Sequence, residues 1–231
     1  GNVENHWIIN AAYSGLPNPT PVPNTPNQPG AISNSGGNYL HILSRSNAQL
    51  GAFNANYTFA ASNAGDRYFA AMNTDINTTG QSNVFLRFWM LNEATGPAGS
   101  SGQVYYSING GANWILLNQY SGITNWTQQT ISNPAFDNQP TLRFGFMFVN
   151  PAAGNSPGFA VDDIEVDVAP PLTATVNQPA TLPTTLCTGD TITFVADDNG
   201  GFVTQFQWNF DGGNAGPQTI NNQTVSFTAG N

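Results

Sequence analysis

At 231 residues the chain is long enough to bury a proper core without disulfide or metal staples, and 39% hydrophobic with 12% aromatic residues supply the material for one. Only 7% of residues are charged, with four Arg, no Lys and thirteen acids, and the net charge of −9 disfavours phosphate backbones and anionic lipid. The missing Lys removes Schiff-base and P-loop chemistry, and the surface must be built from uncharged polar residues, Asn above all with 31 copies.

Taken in order, the chain offers short runs of β-branched and aromatic residues bounded by Gly, Asn or Pro, and almost no helical periodicity. These runs predict strands over 39–43, 68–72, 84–91, 103–108, 113–118, 127–132, 141–149 and 158–168. Many short strands with turn signals between them indicate an all-β sandwich or jelly roll. Asn109-Gly110-Gly111 joins two of the runs and predicts a hairpin, because those residues tolerate positive φ. Before the first run, 14–37 holds six prolines among Asn, Thr and Gly, and reads as a long loop without regular structure, either a plain surface insertion or a functional segment.

Ala169-Pro170-Pro171 marks a domain boundary. Beyond it, strand-like runs recur at 191–196, 203–210 and 224–227, too little for a whole domain, so 172–231 reads as part of a second one. Cys187 has no partner for an internal disulfide. No apolar run approaches the ~20 residues that span a bilayer, and no charged-then-apolar leader opens the chain, which therefore reads as a trimmed segment. The Asn/Thr/Gly-rich, Lys-free surface points to a secreted or cell-surface protein.

Several stretches carry a family resemblance. Trp7 is followed by Gly36-Gly37-Asn38-Tyr39-Leu40-His41-Ile42, then Asp66-Arg67-Tyr68-Phe69 and Val84-Phe85-Leu86-Arg87-Phe88-Trp89. Next come the hairpin from Val104 to Trp114 and the closing Pro157-Gly158-Phe159-Ala160-Val161-Asp162-Asp163-Ile164-Glu165-Val166. Together, over most of 1–168, they resemble the cleaved-adhesin and MAM-like jelly-roll modules of Bacteroidetes surface proteins. Trp208-Asn209-Phe210-Asp211-Gly212-Gly213 looks like the Trp-x-Phe-Gly-Asp-Gly turn of a PKD or Ig-like repeat, with Asp and Gly exchanged. The resemblance implies a jelly roll followed by a partial Ig-like spacer, and export by the type IX route.

For chemistry, the most informative residues are Asp162 and Asp163. Alternation on a strand puts Ala160, Asp162, Ile164, Val166 and Val168 on one face, with Asp162 at an otherwise apolar position. A buried carboxylate needs a metal or hydrogen-bonding partners, so the readings are calcium or satisfaction by Arg or backbone N–H groups. The resembling families place a structural calcium between the first and last strands. They imply a site formed by Glu4 with Asp162 or Asp163 and loop carbonyls. Ser107-x-Asn109-x-Gly111-x-Asn113-Trp114 also resembles one Asp-box hairpin, although a propeller needs several.

The catalytic inventory is thin. Only His6 and His41 could serve as neutral-pH bases, no nucleophile or metalloprotease motif occurs, and no spacing singles out a pair among Asp66, Asp75 and Glu93. The expectation is a non-catalytic adhesion or carbohydrate-binding module whose partners are glycans, surface polysaccharides or other surface proteins. The rivals are a ligand-free spacer in a surface filament or array and, less favoured, a jelly-roll glycosidase. An aromatic cluster on an exposed face would favour binding, and a smooth Asn/Thr surface the spacer.

Overall fold

The computed structural model describes residues 4–17, 21–58, 64–94, 101–151, 157–169, 191–195, 206–208, 218–220 and 224–228. The chain divides into two units, Gly1–Asp167 and Val168–Asn231.

Among the described residues, nine strands build the first unit: β1 (Asn5–Asn10), β2 (Tyr39–Ser44), β3 (Arg67–Ala71), β4 (Val84–Asn92), β5 (Gly102–Ser107), β6 (Ile115–Tyr120), β7 (Ile123–Ser132), β8 (Arg143–Val149) and β9 (Ala160–Val168). They form a five-stranded sheet in the order β1-β2-β9-β4-β7 and a four-stranded sheet in the order β3-β8-β5-β6. The result is an all-β sandwich. Alternation in the sequence decides which side chains fill it. On β4, Leu86, Phe88 and Met90 are wholly buried while Arg87 and Trp89 between them are only half-buried. On β8, Phe144, Phe146 and Phe148 are buried. The Phe88 and Phe146 rings meet across the sheets at 5.4 Å, edge to face. The Trp7 indole N–H donates to the Tyr68 carbonyl at 2.8 Å, tying β1 to β3. Each such ring stabilises the fold by roughly 2–3 kcal/mol through burial alone.

Two local features depend on special residues. Gly110 and Gly111 adopt φ of 66° and 89° in the β5–β6 connection, as the hairpin requires. Ser107 and Asn109 reinforce it: the Ser107 hydroxyl accepts from the Gly111 N–H, and Asn109 Oδ1 accepts from the Asn113 N–H. After β2, one turn of helix, α1 (Arg45–Gln49), is capped by Ser44, whose hydroxyl accepts from the Asn47 N–H. No sequence pattern announced α1, which is too short to show periodicity.

As expected, the described residues of the Pro-rich segment form no strand or helix, and they lie as a third layer on the outer face of the five-stranded sheet. Leu16 and Val22 exchange backbone hydrogen bonds, and the Thr25 N–H donates to the Tyr13 carbonyl. Ile32 packs into a second apolar cluster with Tyr39, Ala55, Leu91, Trp126 and Ala160. The Trp126 indole donates to the Pro26 carbonyl at 2.9 Å and the Tyr39 hydroxyl to the Ala12 carbonyl at 2.5 Å. Proline suits this role because it spares the segment from N–H groups that burial would orphan.

In the second unit, β10 (Thr191–Val195) pairs antiparallel with β13 (Thr224–Thr228), and β11 (Phe206–Trp208) with β12 (Gln218–Ile220). The sequence pattern did not reveal β12. The turn after Trp208 and Cys187 lie outside the described residues.

Candidate functional site

A groove of about 380 Å³ opens where the Pro-rich layer ends on the five-stranded sheet. The layer contributes Ala31 and Ser33; β4 contributes Arg87 and Trp89, β7 Gln128, and β9 Asp163, Ile164 and Glu165. Trp89 and Gln128 are register partners and so share a face. Trp89 also packs against the covered apolar cluster, which holds its ring in place. Arg87 donates twice to Glu165 Oε2, from Nε at 2.9 Å and from an Nη at 2.6 Å.

The expected alternation along β9 fails at Asp163. Its φ is 46°, a left-handed conformation that breaks the two-residue period. Beyond it Ile164, expected on the buried face with Ala160, is 42% exposed, while Glu165 turns to Arg87. Asp162 is half-buried beneath the Pro-rich layer. Its Oδ2 accepts from Gln28 Nε2 at 2.5 Å and its Oδ1 from the Asp163 N–H at 2.8 Å. Burial raises its pKa above the ordinary Asp value, against the lowering effect of those two hydrogen bonds. Asp163 Oδ2 accepts from the Ser33 N–H at 2.6 Å.

Glu4 lies elsewhere. Asn5 pairs with Ser44 at one end of β2, whereas Asp162 follows Val161, the partner of Leu40 near the other end. The separation is about six residues, or ~20 Å at the rise of a strand, whereas the oxygens around one calcium all lie within ~2.6 Å of it. The expected site shared by Glu4 with Asp162 or Asp163 is therefore not assembled. Glu4 Oε1 instead accepts from the Ser44 hydroxyl at 2.9 Å and the Ser46 N–H at 3.0 Å. Burial pushes its pKa up, but the bonds from Ser46 and Ser44 and the nearby Arg45 charge outweigh it and leave it below the usual Glu value. All three carboxylates are met by N–H and O–H donors rather than by converging oxygens, a donor set that does not fit a shared calcium. No group of three or more His, Cys, Asp or Glu able to hold a metal occurs among the described residues.

The outer face of the four-stranded sheet is different in kind. Phe69, Tyr105 and Trp114 gather there, Phe69 meeting Tyr105 at 5.7 Å and Trp114 at 5.0 Å, both edge to face. They lie over Gly145, where a Cβ would come within 2.5 Å of the Phe69 ring and 3.2 Å of Trp114. Phe69 is 37% exposed, and Leu116, the partner of Tyr105, is 41% exposed. Around the rings stand amides: the Tyr105 hydroxyl donates to Gln103 Oε1 at 2.6 Å, and Gln103 faces Gln119 across the strands.

Two of the remaining candidates, His41 and Asp75, have other partners. His41 is fully buried, with ring nitrogens 2.9 Å from the Ile42 carbonyl oxygen and 3.0 Å from Asn10 Oδ1, and burial lowers its pKa to about 4. Asp75 is paired with Arg143. Neither Gln28 nor the Phe69–Tyr105–Trp114 cluster stands out in the sequence. Gly145, set between Phe144 and Phe146 on the alternate face, is the one signal that rings would approach there. No protein-family model matches the chain, and no curated protein matches it.

Proposed function

We propose that this chain is a non-catalytic adhesion or carbohydrate-binding module of a larger secreted surface protein. In this reading the first unit is a jelly roll of the cleaved-adhesin or MAM-like kind, and the second a PKD or Ig-like spacer that extends it. The observation that carries the reading is the Phe69–Tyr105–Trp114 cluster on the outer face of the four-stranded sheet, Phe69 exposed and the other two half-buried, bordered by uncharged amides. Aromatic rings suit the apolar faces of pyranoses, and Gln side chains suit their hydroxyls without ionic attraction. A spacer has no use for rings left in water. No helix among the described residues is long and apolar enough to cross a bilayer.

The test is a glycan and polysaccharide panel probed with the intact chain and with Trp114→Ala, in calcium and again in EDTA. Binding to a coherent sugar class, equal in both buffers and weakened about tenfold by the substitution, is the expected result. Silence across the panel would return the chain to the spacer reading. Binding only in calcium would restore a metal to the mechanism, and hydrolysis of any probe would end the non-catalytic assignment.

A further inference from the structure

We infer that the groove at the rim of the Pro-rich layer is a second saccharide site, selective for neutral over acidic sugars. The inference rests on the carbohydrate-binding reading but on a separate surface, so the two can fail independently. The groove combines a half-buried indole, fixed from behind by the covered apolar cluster, with polar groups that have capacity to spare. Arg87 engages only Oε2 of Glu165, which leaves Oε1 open to a ligand hydroxyl. The Ser33 N–H engages only Oδ2 of Asp163, which leaves its Oδ1 open in the same way. Gln128, exposed beside Trp89, offers an amide that both donates and accepts. A sugar ring needs this mixture, a π face for its C–H side and acceptors and donors for its hydroxyls.

Charge sets the selectivity. One cation, Arg87, faces two anions, Asp163 and Glu165, so the groove keeps a net negative charge within an already acidic chain. A uronic or sialic acid would bring its carboxylate against that field. The geometry is also set before a ligand arrives. Asp163 holds a left-handed backbone that favours glycine, and the Ser33 N–H and the Asp162 carboxylate pin it there.

The experiment uses the intact chain labelled with ¹⁵N at tryptophan, its indole signals assigned with Trp89→Phe and Trp114→Phe. Methyl glycosides of glucose, galactose and mannose, N-acetylglucosamine and methyl glucuronide are the probes. The expected result is movement of the Trp89 signal with at least one neutral sugar and none with the glucuronide. Gln128→Ala, a surface change that leaves folding intact, should weaken the effective sugar about fivefold, the loss of one or two hydrogen bonds. A Trp89 signal unmoved by every neutral sugar, or moved as far by the glucuronide, overturns the site. If Trp89 stays still while Trp114 responds, the groove is refuted and the function stands. If both stay still, the groove is refuted, and the function is decided by the glycan and polysaccharide panel.

Discussion

The two outer faces of the sandwich start from similar material and end differently. The five-stranded sheet presents Tyr39, Leu91 and Trp126 outward and has them covered by a Pro-rich layer. The four-stranded sheet presents Phe69, Tyr105 and Trp114 outward, Phe69 exposed and the other two half-buried. Outward-facing aromatics on a sheet thus carry no fixed meaning. Their neighbours decide, because a ring sealed by backbone carbonyls and other rings is core, whereas a ring bordered by water and amides is surface to be used.

Truncating one tryptophan on each face should separate them most clearly. Trp126→Ala removes a buried indole together with its hydrogen bond to Pro26, and should cost about 3–5 kcal/mol in urea denaturation. Trp114→Ala removes a half-buried ring from the bare face and should cost below about 2 kcal/mol while weakening glycan binding. Equal losses would mean that the bare face is structural.

That contrast also marks what the sequence made legible. The two-residue period was enough to locate most strands of the sandwich, because Leu86, Phe88 and Met90 or Phe144, Phe146 and Phe148 announce a buried face by themselves. The Pro-rich layer was not legible. Its order comes from contacts far apart in sequence, such as Pro26 with Trp126 and Gln28 with Asp162, which no local pattern encodes. Asp162, expected at a buried apolar position, is half-buried, and its partner is a glutamine 134 positions away. The left-handed Asp163 then defeats any face assignment beyond it, since Ile164 and Glu165 after it both line the groove.

Beneath the cover, acid should loosen the five-stranded side first. His41 has its folded pKa lowered to about 4 from an ordinary 6.5 by burial. Its contribution is therefore complete above pH 6.5 and lost as pH falls toward 4, in all roughly 3 kcal/mol. The chain has only two histidines, so between pH 6.5 and 5 few other groups titrate. Denaturation midpoints should fall through that window, and His41→Gln should flatten the slope. An unchanged slope would remove His41 from the account.

On the bare face the matching perturbation is Gly145→Ala. The added methyl meets the Phe69 ring rather than backbone, and that ring can swing into solvent. The cost should be about 1 kcal/mol, with a larger proportional loss of glycan binding as the cluster opens. Stability lost without any change in binding would separate the rings from recognition.

The smallest effect belongs to Glu4, at the end of β2 away from the groove. Its carboxylate accepts from Ser44 and Ser46, and its folded pKa lies below the usual Glu value because those bonds outweigh the partial burial that opposes them. A depressed carboxylate stabilises above its unfolded pKa of about 4.5 and ceases to as pH falls through the folded value. Glu4→Gln should thus lower the thermal midpoint slightly at pH 7 and not at all in strong acid, where both side chains are neutral. The same small difference should persist in EDTA. If chelation instead erased it, Glu4 would be acting through a bound cation, and the hydrogen bonds described for it would be the arrangement of the metal-free state.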